Sequence, residues 1–597
     1  MSGIAGLFGN INEAKKEHLT NVFNDNLMER GPDGYGEFFE KNIFLYHRRL
    51  SIIDLKTGSQ PFYFYDKKQK LKYVLIVNGE IYNYIELKQE FTDVTFQTNS
   101  DCEVILHLFD KYKANFTQKL RGMYALALYD LQKLRLILAR DSFGIKPLYY
   151  TKMDNGLLFA SNLKTIVNSK ILRKEILPEK SYELLQARFS LTKQTIYRNV
   201  FRLMPGETIV IENNNIVNKV FNNPIDLLLN EGKNENFSQI KLTNKITDSV
   251  SKHMRSDVPI GLFFSGGVDS SVILYWMKQL TSKPLHLFIA GFPESKEHDE
   301  TKQALKMVED MGCNVHKVEF TEKDFWHYLV QAAKTLDDPL IDPATLPTLK
   351  LSETAKDYVK VILSGEGGDE FFSGYRRHHK AGLFNGLLKF KHSLKGQFRD
   401  KALMSISFAR WQTPIEDQYK LLAEYPWTHL QRMQIVDSLF WLPNDLLTKL
   451  DRCTMAHSIE GRTPFIDQIL SPFALSIPNK YKVKFKYAKW CLRQHLDNYM
   501  VNSNAFGKKR GFKLPVYQWL HNQRPFIIEY LINHEAFNEL FNNDKLHNYL
   551  KSFTKKDATA IFGLIFYSLW YDHFINLSDI EIDNDLINHI NSLNDLE

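Results

Sequence analysis

Residues 259–280 read PIGLFFSGGVDSSVILYWMKQL, and this stretch decides the fold of the second half of the chain. An apolar strand is predicted to end at Phe264 and a helix to begin near Ser270, with residues 265–269 between them. Two consecutive glycines let the backbone approach an anion closely, and the serine hydroxyls and the helix N-terminus can donate hydrogen bonds to it. The stretch therefore predicts a phosphate-binding loop.

The carboxylate of Asp269 predicts a metal ion at this loop. It would repel a phosphate unless a cation lies between them, and Mg²⁺ is the usual cation in such sites. The Walker pattern is absent, which argues against ordinary γ-phosphoryl transfer. A second acidic glycine loop, SGEGGDE at 364–370, follows the predicted strand 358–363. Loops at the carboxyl ends of parallel strands face one crevice, so Asp369 is expected to be the second metal-binding carboxylate.

The hydrophobic pattern divides the chain into two parts. Around the two loops, short β-rich runs alternate with helical segments, which predicts a parallel sheet covered by helices. The first two hundred residues are instead predicted strands separated by turns, closed by a hairpin at 207–221. Residues 222–238, rich in Asn, Glu and Gly, are predicted to form a linker, and the pattern beyond residue 376 is mostly helical. We therefore expect an α/β protein with domains at 1–221 and 239–597.

The composition excludes several classes of protein. With 44% hydrophobic and 24% charged residues, the 597-residue chain can bury several cores, which excludes wholesale disorder. A net charge of +7 without a long block of like charge argues against nucleic-acid binding. The four cysteines are scattered, so reduced thiols are expected and a thiolate zinc site is not. No signal peptide is recognised, and the apolar stretch 560–570 is too short to span a bilayer, so we expect a cytoplasmic protein.

Taken together, the motifs resemble those of the glutamine-dependent asparagine synthetases and related amidotransferases, nearly end to end. SGGVDSS resembles the pyrophosphatase-type ATP loop of that family, and SGEGGDE resembles its second nucleotide loop. DRCTMAHSIEGRTPFID at 451–467 and KKRGFKLPVYQW at 508–519 resemble two further signatures of the synthetase domain. The resemblance implies that ATP activates the β-carboxylate of aspartate as an acyl-adenylate, pyrophosphate leaves, and ammonia forms the amide. It also implies ATP and Mg²⁺ as cofactors, and a homodimer.

The same resemblance assigns roles in the synthetase site. It implies that Asp269 and Asp369 bind the metal and that Lys509 contacts the pyrophosphate. Glu366 is expected to position or activate the acyl-adenylate step. Arg462 is expected to contact the acid substrate, although a structural ion pair is an open alternative for it. The other residues expected around the nucleotide are Phe264, Ser265, Gly266, Gly267, Ser270, Ala290, Ser364 and Gly365.

The first domain resembles the glutaminase of the same family, an N-terminal-nucleophile hydrolase fold with four layers, α-β-β-α. The motifs that carry this resemblance are RGPDG at 30–34, RRLSIID at 48–54, NGEIYN at 78–83 and SDCEVI at 100–105. By the resemblance, Arg49 and Asp101 hold the α-carboxylate and α-amino groups of glutamine. The rest of the expected pocket consists of Leu50, Ser51, Ile52, Ile53 and Glu80, with Asn78 and Gly79 as the oxyanion hole.

The family's nucleophile is a cysteine that is exposed when the initiator Met is removed, but this chain has Ser2 at that position. A free α-amine can act as base for its own side chain, yet serine supplies essentially no alkoxide at neutral pH, whereas a thiol supplies some thiolate. Three interpretations stay open. Ser2 is a replacement that suppresses hydrolysis, or a working nucleophile, or part of a structural remnant in an enzyme that uses ammonia or an internal amine. We predict that ammonia is the nitrogen donor and that glutamine use is weak or absent.

A smaller departure from the family is Asn162, which replaces a usual glutamate and is expected to alter contacts between the domains. The family moves ammonia between its two sites through an internal tunnel, so this change bears on that passage.

Two other functions remain as alternatives. The GYRRHH sequence at 374–379 and the basic segment 380–401 are similar to longer family members that amidate other carboxylic acids. An amidotransferase acting on a sugar acid or a natural-product precursor is therefore the runner-up. The third alternative is an inactive interaction protein, against which the retention of Asp269, Asp369 and Lys509 argues.

Overall fold

Two six-stranded antiparallel sheets form the first domain of the chain. The computed structural model describes residues 2–231, 236–294, 301–383, 396–398, 403, 411–500, 503–507 and 514–576. The strands of the first domain are β1 (Ser2–Gly9), β2 (Gly34–Glu40), β3 (Ile43–Arg49), β4 (Phe62–Tyr65), β5 (Leu71–Ile81), β6 (Gly122–Asp130), β7 (Arg135–Arg140), β8 (Tyr149–Met153), β9 (Gly156–Ala160), β10 (Val200–Arg202), β11 (Glu207–Glu212) and β12 (Asn215–Phe221). The strand orders are β10-β8-β9-β1-β3-β2 and β12-β11-β7-β6-β5-β4.

Helices cover the outer face of each sheet, which gives the expected α-β-β-α layers. Helices α1 (Glu13–Leu27) and α4 (Leu163–Asn168) pack on the first sheet, and α3 (Val104–Tyr112) packs on the second. Helix α2 (Tyr84–Gln89) packs on α3, and α5 (Pro178–Ala187) contacts a helix of the second domain. In β6, Leu126 and Leu128 pack in a core with α3, whereas Ala125 and Ala127 pack in the core between the sheets. Because both faces of such strands are buried, they are apolar at consecutive positions rather than at every second one. The predicted α-β-β-α fold is confirmed.

The hairpin that closes this domain has the turn that its sequence predicts. Asn213 and Asn214 join β11 to β12, with φ angles of 47° and 63°. Two consecutive left-handed residues are typical of the two-residue hairpin turn whose twist matches that of the strands, and asparagine tolerates this conformation better than other non-glycine residues. The predicted hairpin at 207–221 is confirmed.

A five-stranded parallel sheet forms the centre of the second domain. Its strands are β13 (Ile260–Phe263), β14 (His286–Gly291), β15 (Asn314–Glu319), β16 (Val361–Leu363) and β17 (Glu460–Arg462), in the order β15-β14-β13-β16-β17. The strand order therefore reverses between β13 and β16. In open parallel sheets the crevice at such a reversal, beyond the carboxyl ends of the strands, is where ligands bind.

Helices surround this sheet and form the rest of the domain. In chain order they are α6 (Pro224–Glu231), α7 (Gln239–His253), α8 (Val268–Leu280), α9 (Thr301–Val308), α10 (Glu322–Thr335), α11 (Thr345–Ala355), α12 (Gly368–Phe372), α13 (Arg376–Leu383), α14 (Thr413–Leu421), α15 (His429–Leu439), α16 (Leu447–Met455), α17 (Leu470–Ser476), α18 (Asn479–Lys482), α19 (Trp490–Tyr499), α20 (Val516–Asn522), α21 (Arg524–Ile532), α22 (Asn543–Ser552) and α23 (Ala558–Tyr571).

Two parts of the second domain differ from the sequence expectation. Helix α6 lies inside the predicted linker 222–238 and buries Leu228. Strand β17 lies in the segment whose pattern was mostly helical, and it extends the sheet by pairing with β16. Both elements are short, so neither shows enough periodicity to be recognised from sequence. Of the basic segment 380–401, most residues lie outside the described part of the chain.

Candidate active site

The first loop of the site joins the end of β13 to the start of α8. Gly266 has a φ angle of 69°, a left-handed conformation that glycine adopts without strain. The Ser265 hydroxyl accepts a hydrogen bond from the Gly267 N–H at 3.3 Å and lies 3.3 Å from the Ser270 hydroxyl. These hydroxyls and the N-terminus of α8 therefore meet where the sequence predicts phosphate binding.

The second loop joins β16 to α12 and touches the first. Gly367 has a φ angle of 89°, and a Cβ atom there would lie 2.4 Å from Ile466. A Cβ atom on Gly368 would lie 2.5 Å from the Oδ1 atom of Asp269. The double glycine therefore allows the two acidic loops to approach each other, because any side chain at 368 would collide with the carboxylate of the first loop.

A cavity of about 320 Å³ lies at the two loops. The residues predicted to bind the nucleotide and the metal all line it: Phe264, Ser265, Gly266, Gly267, Asp269, Ser270, Ala290, Ser364, Gly365 and Asp369. Glu366 lines it as well. Lys509 lies outside the described residues, although Asn504 and Gly507, shortly before it in the sequence, also line the cavity.

Lys489 lies between the carboxylates of the two loops. Its Nζ atom is 2.6 Å from Oδ1 of Asp369 and also pairs with Oδ2 of Asp269. The lysine side chain is 4% exposed, whereas the aspartates are 20% and 24% exposed. Burial alone would lower the pKa of Lys489, but Asp269 and Asp369 outweigh burial and raise it. The two carboxylates therefore converge on one cationic group.

This convergence fits the predicted magnesium site. Mg²⁺ is typically bound by one or two carboxylates together with substrate phosphates and water. Asp269 and Asp369 supply the two carboxylates, and the phosphate loop lies beside them. The described part of the chain holds no cluster of three or more His, Cys, Asp or Glu side chains that could hold a metal ion. A metal at this position would take its further ligands from nucleotide oxygens and water.

A second group of charges adjoins the cavity at Glu366. The Nζ atom of Lys449 is 2.9 Å from Asp342 and 3.8 Å from Glu366. Burial would lower the pKa of Lys449, but Asp342 and Glu366 raise it above its usual value. Burial raises the pKa of Glu366, and raises the pKa of the neighbouring Asp445 to about 7. The cavity therefore presents charges of both signs next to the second loop.

Several residues that line the cavity were missed in the sequence analysis. Lys489 immediately precedes α19 and Arg493 lies in its first turn, and neither residue belongs to a motif that could have indicated it. Lys449 precedes the DRCTMAHSIEGRTPFID signature by two residues. Further lining residues come from distant elements without a recognisable motif, among them Phe288, Gln303, Thr348 and Asn504.

Ser2 and Asn78 lie together in the first domain. The Ser2 N–H donates to Oδ1 of Asn78 at 3.2 Å, and both residues are buried. The Nδ2 atom of Asn78 has no hydrogen-bond partner among the described residues. A Cβ atom on Gly79 would lie 2.2 Å from the carbonyl oxygen of Met123, so that position requires glycine. A buried amide donor without a partner beside residue 2 suits an oxyanion hole.

The charged residues of the predicted glutamine pocket lie close to one another. Arg49 is opposite Ser2 in the pairing of β3 with β1. Burial lowers the pKa of Arg49, and the nearby Glu80 and Asp101 are among the groups that oppose this shift. Burial raises the pKa of Asp101, whose Oδ2 atom accepts from the Ile81 N–H at 2.6 Å. A cationic group of a ligand beside Asp101 would offset the free-energy cost of burying the charged carboxylate.

The segment after Arg49 is held both by backbone hydrogen bonds and by apolar side chains. The Ser51 N–H donates to Oδ2 of Asp33 at 2.7 Å, and the Ile52 carbonyl accepts from the Asp257 N–H at 3.0 Å. Leu50 and Ile52 are buried in the core, and Ile53 packs against it. Leu50, Ser51, Ile52 and Ile53 are therefore held in place directly after Arg49, and their contact with glutamine stays a prediction.

The position of Arg462 corrects its predicted contact with the acid substrate. Arg462 is not among the described residues that line the cavity. Its guanidinium is fully buried, donates to Glu460 and to the carbonyl oxygen of His253 at 2.7 Å, and lies 3.5 Å from Glu80 of the first domain. A buried arginine must be paired in this way, and the structural ion pair left open above describes it. Only its backbone reaches the site, because its carbonyl accepts from the Ser364 N–H at 2.8 Å.

Asn162 makes its described side-chain contacts within the first domain. Its Nδ2 atom donates to the Asn26 carbonyl at 2.9 Å, and its Oδ1 atom accepts from the Thr165 N–H at 3.1 Å, which caps α4. The contact across the domain boundary comes from the next turn, where the Lys164 N–H donates to Asp337 at 2.9 Å.

Comparison with known proteins identifies both domains. The family model described as asparagine synthase matches residues 241–571, and the model of a glutamine amidotransferase domain matches residues 1–222. Asparagine synthetase (glutamine-hydrolyzing) 1 of Bacillus subtilis (strain 168) is 31% identical and aligns over 97% of each chain. Asparagine synthetase B (glutamine-hydrolyzing) of Escherichia coli (strain K12) is 31% identical over 83% of this chain and 78% of its own.

A relative from an archaeon is similar over a shorter part. Putative asparagine synthetase (glutamine-hydrolyzing) 2 of Methanocaldococcus jannaschii is 36% identical over 63% of this chain and 76% of its own.

The fold and the cavity thus define an amidotransferase-type domain joined to a nucleotide-binding synthetase domain. The chain belongs to the asparagine synthetase family. In the part that the structure describes, none of the helices combines the length and apolarity needed to cross a membrane.

Proposed function

We propose that the chain is an ATP-dependent amide ligase that converts aspartate to asparagine through β-aspartyl-AMP and releases AMP and pyrophosphate. The observation that carries this proposal is the convergence of Asp269 and Asp369, from two loops, on one cationic position beside the phosphate loop. The similarity to named asparagine synthetases over nearly the whole chain supports it.

In the first step, a carboxylate oxygen of the acid attacks the α-phosphorus of ATP, and the bond from that phosphorus to the bridging oxygen breaks. The hydroxyls of Ser265 and Ser270 and the backbone N–H groups of their loop hold the phosphate oxygens. Bound to Asp269 and Asp369, Mg²⁺ would offset the charge that develops on the leaving pyrophosphate. Lys509, carried over from the family motif, is proposed as a further cation for the pyrophosphate.

In the second step, ammonia attacks the activated carbonyl carbon, the bond to AMP breaks, and the nitrogen loses a proton. Glu366 is proposed to position the adenylated acid, because it stands at the cavity wall 3.8 Å from Lys449. Charges of both signs at Lys449, Glu366 and Asp342 suit the amino and carboxylate groups of aspartate better than an uncharged sugar ring.

We propose that ammonia is the main nitrogen donor. Asn78, Arg49 and Asp101 are proposed to form a glutamine pocket around residue 2, but a serine nucleophile attacks an unactivated amide much more slowly than a cysteine. Glutamine is therefore proposed to bind and to be hydrolysed weakly. The homodimer implied by the family stays a prediction.

The test is product analysis with aspartate, ATP and Mg²⁺, run in parallel with ammonium and with glutamine. We expect asparagine, AMP and pyrophosphate in equal amounts with ammonium, and little asparagine with glutamine. Mass measurement of the N-terminus should accompany it, since Ser2 has a free amine only if Met1 has been removed. Robust amidation with glutamine would contradict the ammonia proposal. Formation of another amide, when other acids replace aspartate, would favour the runner-up.

A further inference from the structure

We propose that Lys489 is a built-in counter-ion that occupies the metal position between Asp269 and Asp369 until a magnesium nucleotide displaces it. The inference rests on the proposed function, which supplies the nucleotide and the metal. It concerns the state of the site before substrate binds, and it makes the affinity for the metal depend on the lysine.

The geometry brings the lysine into the metal position specifically. Its ammonium nitrogen lies 2.6 Å from Asp369 and pairs with Asp269, so one group satisfies a carboxylate from each loop. A Cβ atom on Gly374 would lie 2.2 Å from the Cε atom of Lys489 and 1.6 Å from Oδ1 of Asp369. The glycine of the GYRRHH sequence therefore leaves space for this ion pair.

The backbone of Lys489 also supports a defined placement. Lys489 has a φ angle of 55° and immediately precedes α19. A non-glycine residue is disfavoured in this left-handed conformation, so the surrounding structure must stabilise it. The ion pair with both aspartates is one interaction of Lys489 in this conformation, and its carbonyl also accepts from the Arg493 N–H at 2.9 Å.

Charge balance explains why free metal would not replace the lysine. If Mg²⁺ bound alone to both carboxylates, a buried ammonium would be left beside a divalent cation, which is strongly unfavourable. A nucleotide removes this obstacle, because its phosphate oxygens provide new partners for the displaced ammonium. The metal and the nucleotide should therefore bind together, and the metal alone should bind weakly.

The neighbouring Arg493 does not take this role. Its side chain donates to the carbonyl oxygen of Ala488 at 2.8 Å and to that of Gly507 at 3.2 Å. These bonds hold the guanidinium between the backbone just before α19 and the segment that follows this helix. Among the described residues, Lys489 is thus a cation that pairs with both aspartates.

The experiment measures binding of Mn²⁺, as the metal probe, to the full chain by electron paramagnetic resonance, without nucleotide. Wild type and Lys489→Arg, which both carry a cation, are expected to bind Mn²⁺ weakly. Lys489→Met is expected to bind it at least about tenfold more tightly, because a unit positive charge in contact with the carboxylates is removed. Lys486→Met is the matched control, since Lys486 is exposed and three residues away, and it should behave as wild type.

Binding of Mn²⁺ to nucleotide-free wild type tests the proposal even if Lys489→Met fails to fold. A tight Mn²⁺ site in nucleotide-free wild type that is lost in Asp369→Asn would overturn the proposal, as would a folded Lys489→Met with no gain in affinity. A separate titration with α,β-methylene-ATP tests the proposed function. If Mn²⁺ is not recruited with that nucleotide, the ligase assignment fails, whatever the nucleotide-free samples show.

Discussion

Single side chains decide the chemistry at both sites of this protein. Ser2 stands where the nucleophile of the first domain would be, with the Asn78 amide beside it. In the proposed glutamine pocket, the change from a thiol to a hydroxyl at residue 2 is the main chemical difference from the family pattern. Restoring the thiol should therefore restore the reaction without altering the fold.

Ser2→Cys is expected to raise glutamine-dependent asparagine formation by at least about tenfold, because a thiol is partly ionised at neutral pH and a serine hydroxyl is not. Glutamate release measures this, with removal of Met1 verified by mass. Ammonia-dependent activity should not change, and Ser2→Ala serves as the control that gains nothing. Unchanged glutamate release by a correctly processed Ser2→Cys protein would show that the pocket is not intact.

The residues that were predictable from sequence are those with a local reason for their identity. Asp269 follows from its place in a phosphate loop, and Asp369 from its place in a second acidic glycine loop after a predicted strand. Lys489 has no such local reason, because the carboxylate it pairs with on Asp269 lies 220 positions away in the sequence. Its role becomes visible only when the sheet brings α19 to the loops.

Among the elements, α7 carries a buried histidine that makes stability depend on pH. The Nδ1 atom of His253 lies 2.8 Å from the Ser249 carbonyl, and the ring centroid lies 4.1 Å from that of Tyr82. Burial lowers the pKa of His253 to about 4 from its usual value of 6.5. The unfolded chain therefore binds a proton at this residue more readily than the folded chain does between these two pH values.

Stability should accordingly fall as the pH drops from about 6.5 towards 4, by about 3 kcal/mol from this residue alone. Above pH 6.5 both states are neutral at His253, and the contribution is constant. His253→Gln, which keeps an amide donor for the Ser249 carbonyl, should flatten the pH profile of urea unfolding by that amount. The exposed His327→Gln is the matched control. Equal slopes for the two variants would disprove the assignment.

Long elements with regular patterns were predictable, and short buried ones were not. The strands of the first domain and the hairpin at Asn213 and Asn214 have alternating or turn-specific residues, so their positions could be inferred. Strand β17 has only three residues, all buried, and it becomes a strand because β16 offers an unpaired edge. Tertiary context of this kind overrides local propensity.

At the scale of the whole molecule, buried ion pairs join the two domains. Arg30 of the first domain makes two bonds to Asp451 of the second, at 2.8 and 3.1 Å. Arg121 and Arg202 pair across the same boundary with Asp467 and Asp338, at 2.7 and 2.6 Å. Arg30 also donates to the Ser2 carbonyl at 3.3 Å, so one pair connects the predicted nucleophile to helix α16.

Arg30→Met is expected to lower the free energy of unfolding by about 3–5 kcal/mol, because it leaves the buried Asp451 carboxylate with fewer cationic partners. The double variant with Asp451→Leu should cost less than the sum of the two single variants, by more than about 1 kcal/mol. Urea unfolding measures both quantities. Arg198→Met, which breaks an exposed pair with Glu175, should change stability by less than about 1 kcal/mol. Strict additivity of Arg30 and Asp451 would rule out a direct coupling.

This interface could not be predicted from the sequence, since Arg30 and Asp451 are 421 positions apart and Arg121 and Asp467 are 346 apart. Arg30 and Asp451 each lie in a family motif, but the motifs did not indicate that the two residues pair. The two-domain plan was accessible because each domain has its own pattern of strands and helices. Their packing depends on side chains that carry no periodic signal.

The most direct test of the central claim is exchange of labelled pyrophosphate into ATP, with aspartate and Mg²⁺ and without a nitrogen donor. Because the first step is proposed to be reversible adenylation at Asp269 and Asp369, wild type should exchange label only when aspartate is present. Asp269→Asn should exchange at least about a hundredfold more slowly, and the exposed Asp310→Asn should match wild type. Absence of exchange in wild type, with conversion of ATP to ADP instead, would contradict the account.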